Sequence, residues 1–327
     1  MSAARSAKAD GLRVVRVALL AAIAGTAFAG CATGAAPAPP PPVPTAEPAP
    51  AAEPAPPSGP APTPVAVDVS AELTALEARY SARVGVSAMD TGTGREVAFR
   101  AGERFAYAST LKVFVAAEFL RRVPAAERDA MVTWTRGDVD DAGYSPVTGA
   151  RVAEGLPLAA LAEAAVRSSD NAATNLLLDR LGGPASLDAG LEELGDTTSE
   201  VVHDEPALNR VSPGAVADTS TPLAFTANLR TLLLGDALAP ADRQLLTEWM
   251  SGNATGDALV RAGAPEGWAV ADKSGGAGGI RNDVALVTPP GRDPILVTVF
   301  TEKTDEGAAY EDRLVAETAA VVLDALA

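Results

Sequence analysis

Phe105-Ala-Tyr-Ala-Ser109-Thr-Leu-Lys112-Val-Phe114 sets a serine three residues ahead of a lysine in a mostly apolar stretch. The segment from Leu111 to Leu120 reads as a helix. If that helix starts near Ser109, residues i and i+3 share a face and the hydroxyl lies beside the amine. Ser109 would also sit at a helix N-terminus, where unpaired amides and the macrodipole favour a developing negative charge. This is one way to activate a nucleophile without histidine. The competing reading is a helix cap followed by a surface lysine. With sixteen serines and four lysines in the chain, about 0.2 S-x-x-K matches arise by chance. The pair alone does not choose between them.

Composition narrows the chemistry. The chain has 327 residues, 47% of them apolar, so it can bury a real core. Its formal charge is −16 with no basic run, which argues against nucleic acid because nothing would displace counterions from phosphates. Cys31 and His203 are each the only residue of their type. An internal disulfide is therefore impossible and a zinc site of histidines and cysteines is close to excluded. A Ser-His-Asp triad would have to take its base from His203. Lys8, Lys112, Lys273 and Lys303 stand against twenty-two arginines. Where arginine is the default cation, a lysine suggests a need for a compact ammonium that can lose its proton, although codon bias gives the same pattern.

Residues 1–30 start basic and continue into Val17–Ala29, an apolar stretch too short to span a bilayer comfortably, and so read as a secretory signal. Phe28-Ala-Gly-Cys31 resembles a bacterial lipobox, with phenylalanine where leucine is usual, and would make Cys31 the lipidated first residue of the mature chain. Cleavage after Ala29 would instead release a soluble protein. Residues 31–68 follow as a linker of proline and alanine, an extended tether of at most ~115 Å that cannot pack a core. The expectation is an exported protein, at the cell surface or in the periplasm, that touches membrane only through the lipid on Cys31.

The folded part is expected over 69–327. Ser70 to Ala82 reads as a helix with Leu73, Leu76 and Tyr80 on one face. Arg83–Met89 and Arg95–Arg100 read as strands joined by the turn Asp90-Thr-Gly-Thr-Gly94. A helical region from Ser109 to Met250 is broken by Pro124, Pro146, Pro157, Gly182-Gly-Pro184 and Pro213-Gly214. Strands return at Trp268–Lys273, Asp283–Thr288 and Ile295–Phe300, and Tyr310 to Ala327 closes as an amphipathic helix. Strands at both ends with helices between predict one α+β domain, its sheet part at 69–102 and 257–327, split by an all-α insertion at 103–256.

Three further stretches could assist the serine and lysine. Ser168-Ser169-Asp170-Asn171 precedes a helix at Ala172–Leu181, and is either an N-cap cluster or a hydroxyl and amide aimed into a cleft. Asp272-Lys273-Ser274-Gly275-Gly276 reads as a strand end turning on glycines at positive φ, or as a cation whose glycines let amides approach a substrate. Asp204-Glu205-Pro206-Ala-Leu-Asn209 offers either a solvated loop charge or a general base.

In combination these stretches resemble the class A serine β-lactamases, whose recognised signature joins S-x-x-K to S-D-N and K-T-G. The resemblance runs over about residues 70–327. Ser169, Glu205 and Lys273 follow Ser109 by 60, 96 and 164 residues, as in that family. Tyr144-Ser-Pro-Val-Thr148, Leu208-Asn209 and Gly252-Asn-x-Thr-Gly256 agree as well. The implied fold is an antiparallel five-stranded sheet flanked by helices, with the all-α insertion. The implied activity is hydrolysis of penicillins or cephalosporins through a serine ester, by a monomer with no metal or cofactor.

The implied roles follow residue by residue. Ser109 attacks the lactam carbonyl and Lys112 eases its deprotonation, with Lys112 or Glu205 as the base. Amides of Ser109 and Gly276 stabilise the oxyanion. Glu205 and Asn209 hold the deacylating water. Ser169 relays a proton to the leaving nitrogen, and Asn171 binds the substrate's side-chain amide. Lys273, Ser274 and Arg281 bind its carboxylate beside Gly275, and Tyr144 walls the cleft. Serine replaces the usual threonine after Lys273, and the turn from Gly276 to Ile280 is a residue short of the family's usual length. His203 stands opposite Asp218 where the family pairs arginine with aspartate across its Ω-loop, which predicts a latch weaker above pH ~7. Penicillin-binding peptidases share the serine, lysine and K-T-G parts but lack the loop carboxylate, and a lipid-tethered antibiotic sensor would need a broken nucleophile or base. Glu205 argues against both.

Overall fold

The turn at Asp90 sets the first hairpin. Its carboxylate Oδ1 accepts the amides of Gly92 and Thr93 at 2.9 and 3.1 Å, and Gly94 takes φ +72°. The chain therefore folds back on itself within four residues. The computed structural model describes residues 64–305 and 307–327. The signal segment, Cys31 and the linker up to residue 63 lie outside the described residues.

In chain order the elements begin with β1 (Val65–Ala66), α1 (Ser70–Tyr80), β2 (Ala82–Asp90), β3 (Arg95–Phe99) and β4 (Phe105–Ala106). A 3-10 turn (Ala108–Leu111) leads into α2 (Lys112–Arg122), followed by β5 (Met131–Val132), α3 (Arg136–Ala142), β6 (Leu156–Pro157), α4 (Leu158–Arg167), α5 (Asn171–Leu181) and α6 (Pro184–Glu193). Then come β7 (Thr219–Ser220), α7 (Pro222–Leu233), α8 (Pro240–Ser251), α9 (Val260–Gly263), β8 (Ala269–Ala277), β9 (Ile280–Thr288), β10 (Ile295–Lys303) and α10 (Asp312–Leu326).

The main sheet runs β1-β3-β2-β10-β9-β8. Its five long strands are antiparallel neighbours, as expected. The short β1 adds a parallel sixth at the edge, with Val65 opposite Arg95. This edge strand lies within the stretch expected as linker up to 68. Proline stops at Pro64, so Val65 and Val67 have amides to donate to Gly94 and Glu96 carbonyls at 2.8 and 2.7 Å.

Strand alternation sorts the side chains into two cores. On β10, Ile295, Val297 and Val299 face α1 and α10, whereas Leu296 and Phe300 face the helical insertion. Leu73, Leu76 and Tyr80 of α1 are buried against the first core, as their spacing predicts. The second core surrounds α2, whose residues Lys112 to Leu120 are all buried. A helix buried on every side belongs at the centre of a domain, and here it carries Lys112 inside with it. Rings of Phe114, Tyr107 and Phe300 gather on Phe225 of α7 at 4.7, 6.0 and 5.0 Å between centroids. Such pairs each contribute ~0.5–1.5 kcal/mol beyond burial. They tie the segment before Ser109 to the sheet and to two helices.

Helix breaks fall where proline and glycine predict. α5 ends at Leu181 with Gly182 at φ +103°, and α6 begins on Pro184. Two details differ from the sequence reading. β8 runs through Gly275 and Gly276 to Ala277 instead of ending near Lys273, because it pairs with β9 along its whole length. Ser109 lies in the 3-10 turn, one turn ahead of the α-helix that starts at Lys112.

Candidate active site

Four segments converge on one cleft of about 440 Å³. Ser109, Tyr144, Ser169, Asn171, Asn209, Ser274, Gly275, Gly276 and Arg281 all line it. Lys112, Glu205 and Lys273 lie buried directly behind, within hydrogen-bond reach of the lining residues. Every cleft residue expected from the sequence is thus brought together. A larger groove of about 970 Å³ between α7 and the β2–β3 edge contains none of them.

The nucleophile turn is held from several sides. Ala108 takes φ +49°, a costly conformation for a residue with a Cβ. The surroundings that enforce it include Asn282 of β9, which donates to the carbonyls of Ala106 and Tyr107 at 2.7 and 3.2 Å. The Thr110 hydroxyl caps the Tyr107 carbonyl at 2.6 Å. Gly275 on β8 then passes so close that a Cβ there would stand 3.0 Å from the Thr110 amide and 3.1 Å from the Ser109 amide. That contact, and not a positive φ, explains the glycine.

The hydrogen bond of Ser109 differs from the simple i,i+3 picture. Its Oγ lies 3.1 Å from Glu205 Oε1, and Lys112 Nζ reaches the same carboxylate oxygen at 3.0 Å. The lysine also donates to the Ser169 carbonyl at 2.8 Å and to Asn171 Oδ1 at 2.5 Å. Burial pushes the Lys112 ammonium down from its ordinary value, and the Glu205 carboxylate opposes that shift.

Asp170 explains how Ser169 and Asn171 are presented. It caps α5 through the Ala173 amide at 2.9 Å and accepts the Thr148 hydroxyl and amide at 2.7 and 2.9 Å. The N-cap reading and the cleft reading of this stretch therefore both hold. Ser169, at φ +54°, turns its Oγ to 3.1 Å from Lys273 Nζ. Asn171 donates one N–H to the Ala142 carbonyl at 2.9 Å, which leaves its second N–H for the cleft.

Glu205 is fixed from α5. Asn175 receives the Glu205 amide at 2.9 Å and donates to the Glu205 carbonyl at 2.8 Å. On the carboxylate itself, Oε2 accepts Asn209 Nδ2 at 2.6 Å. Asn209 Oδ1 is buried with no hydrogen-bond partner among the described residues. His203 pairs with Asp218 as expected, Nδ1 to Oδ2 at 2.5 Å. Asp218 Oδ1 additionally accepts the Tyr107 hydroxyl at 3.0 Å and the amides of Val202 and His203 at 3.1 and 3.0 Å.

At the far end, Lys273 is fully buried. Burial and the nearby Lys112 charge lower its ammonium to about 7, while Asp272, Asp283 and Glu205 pull the other way. Arg281 sits opposite Gly276 in the β8–β9 ladder, ion-paired with Asp312 at 2.6 Å and 4.9 Å from the Tyr310 ring centroid. Two lining residues, Thr255 and Tyr310, are not among the expected site residues. Asn175 is not among them either, although it follows Asn171 by four residues and so shares its helix face.

Comparison with known proteins supplies the context. The model of the β-lactamase enzyme family matches residues 68–326. A β-lactamase of Amycolatopsis lactamdurans is 46% identical over 265 residues, 81% of this chain and 87% of that one. A β-lactamase of Bacillus amyloliquefaciens is 45% identical over 252 residues, covering 77% and 82% of the two chains. Among solved structures, the β-lactamase from Streptomyces albus G superimposes with a TM-score of 0.77 at 41% identity, over 79% of this chain and 99% of that one. The class A β-lactamase from Clostridium kluyveri gives 0.76 at 40% identity, over 79% and 98%.

Proposed function

The chain belongs to the class A β-lactamase family and hydrolyses the β-lactam amide bond of penicillins or cephalosporins, giving resistance to them; from that premise we propose that it works through an ester on Ser109. What carries this reading is the carboxylate of Glu205, shared between the nucleophile, the buried Lys112 and Asn209.

In the first step the Ser109 oxygen attacks the lactam carbonyl and its proton passes to Glu205 Oε1, the atom it already faces, or to the amine of Lys112 beside it, which serves as the base when Glu205 is removed. The amides of Ser109 and Gly276 receive the oxyanion; losing one such donor typically costs ~3–4 kcal/mol of transition-state stabilisation. The C–N bond then breaks: Ser169, poised between Lys112 and Lys273, gives its hydroxyl proton to the leaving nitrogen and is reprotonated through Lys112 with the proton that Ser109 released, so Glu205 enters the second step as a carboxylate. Lys273, Ser274 and Arg281 hold the substrate carboxylate. Asn171 donates its free N–H to the side-chain amide, and Tyr144 covers the mouth.

In the second step a water donates to Asn209 Oδ1 and gives its other proton to Glu205. It attacks the ester carbon and releases the ring-opened acid, returning the proton to Ser109. The unpartnered Asn209 oxygen supports this assignment, because a buried acceptor without a donor costs free energy unless water fills the role. Export and lipid attachment at Cys31 belong to the same proposal; membrane sedimentation that persisted in a Cys31→Ala variant would count against the anchor.

A chromogenic cephalosporin tests the mechanism. Wild type should turn over steadily, and Glu205→Ala should give a burst of one equivalent and then stall. A stall in both proteins would indicate a penicillin-binding peptidase. Steady turnover in both would remove Glu205 from the mechanism.

A further inference from the structure

Thr255 lies in the loop between α8 and α9 and touches two of the three side chains assigned to the substrate carboxylate. Its hydroxyl is 2.6 Å from Ser274 Oγ, and its carbonyl is 3.4 Å from Arg281 Nη2. The direction of the hydroxyl proton follows from the donors and acceptors around it. Buried Asn253 gives its Nδ2 to Asp272 Oδ2 at 2.5 Å, and Asp272 is ion-paired with Arg261. At its other end, Asn253 Oδ1 accepts the Thr255 amide at 3.1 Å. Both contacts fix the same amide orientation, so the atom facing Thr255 Oγ at 2.8 Å is an oxygen that can only accept.

A threonine hydroxyl has one hydrogen. While Thr255 gives it to Asn253, the 2.6 Å contact with Ser274 requires Ser274 to be the donor. The serine then turns only lone pairs toward the cleft, where an arriving carboxylate also has only lone pairs. The conflict is resolved if Thr255 swings its hydrogen from Asn253 to Ser274. Ser274 is released to donate to the carboxylate, and Asn253 Oδ1 keeps the Thr255 amide as its partner. We infer that Thr255 is a positioning residue whose hydroxyl switches from Asn253 to Ser274 when a carboxylate-bearing substrate binds, and in that position directs and polarises the Ser274 hydroxyl toward the carboxylate.

This inference rests on the reading that Ser274 faces the substrate carboxylate. The bound arrangement is a donor chain, Thr255 to Ser274 to carboxylate, in which each bond polarises the next. Its loss acts on binding of the acid and not on the bond-breaking steps.

The test is a mutant cycle read with a penicillin and its methyl ester. Thr255→Val keeps the shape and removes the hydroxyl. It should raise KM for the acid roughly threefold to tenfold, with kcat little changed and the ester unaffected. Thr255→Ser should restore the wild-type KM. In a Ser274→Ala background, adding Thr255→Val should change nothing further. The inference is overturned if Thr255→Val impairs acid and ester equally, or adds its full effect on top of Ser274→Ala. If Ser274→Ala itself fails to discriminate acid from ester, the underlying assignment of Ser274 falls and the switch falls with it; that outcome is visible in the single variant alone.

Discussion

Raising the pH should remove carboxylate recognition from the cleft while leaving the nucleophile in position. Lys273 is the cause. Its ammonium is buried and sits near Lys112, so it titrates at about 7 instead of at the ordinary lysine value of 10.5. The charged form is the low-pH form, so charge is lost as pH rises through 7. At pH 9, two units higher, about 1% of free enzyme would carry it. The value of kcat/KM reports free enzyme and free substrate. If only charged Lys273 pairs with the substrate, kcat/KM for a penicillin falls above pH 7 with a slope that approaches about tenfold per unit.

Lys112 is also lowered by burial, and its own loss of charge changes acylation. Its effect falls on any substrate, so it cancels in a ratio. The assay is therefore the ratio of kcat/KM for a penicillin to that for its methyl ester, measured from pH 6 to 9. Wild type should lose about fiftyfold in that ratio between pH 7 and 9. Lys273→Arg, which keeps its charge throughout, should show a flat ratio. A flat ratio in wild type, or an equal decline in the arginine variant, would refute the reasoning.

Two further outcomes follow from the same geometry. Gly275→Ala drives a Cβ to 3.0–3.1 Å from three backbone atoms of the nucleophile turn, none of which can swing aside; acylation measured by stopped flow should slow by roughly 10- to 100-fold, and a rate within twofold of wild type would show that the turn yields without consequence. His203→Arg places a permanent charge beside Asp218, so deacylation should quicken. The effect should be modest, worth about 1 kcal/mol, because Tyr107 and two amides already hold the same carboxylate. Equal deacylation rates for the two proteins would mean the added charge does nothing to the loop.

The site was readable in the sequence where chemistry demands a rare residue type. In an arginine-rich chain Lys112 and Lys273 stand out, and Glu205 follows Ser109 at the interval that carries the resemblance to the class A family. Residues that act by orienting others were harder to see. Asn253 and Thr255 lie in a stretch that resembles the family, yet the role of Thr255 depends on which atom of Asn253 faces it, and only the contacts with Asp272 decide that. Tyr310 reaches the cleft from just before α10, far along the chain from Arg281. The glycines after Lys273 read as a turn because local preference favours one there. Pairing along all of β9 overrode that preference, and the glycines serve the approach to Ser109 instead. At the other end, a proline-rich composition concealed β1, which depends on two amides just beyond the last proline.

The central claim is that Glu205 directs hydrolysis of an ester formed on Ser109. The most direct measurement is the mass of Glu205→Gln after mixing with a penicillin, followed by peptide mapping. The account predicts one added penicillin per chain, carried on the peptide that contains Ser109 and persisting after wild type has returned to its unmodified mass. An adduct on another residue, or a variant that returns to its unmodified mass as fast as wild type does, would contradict it.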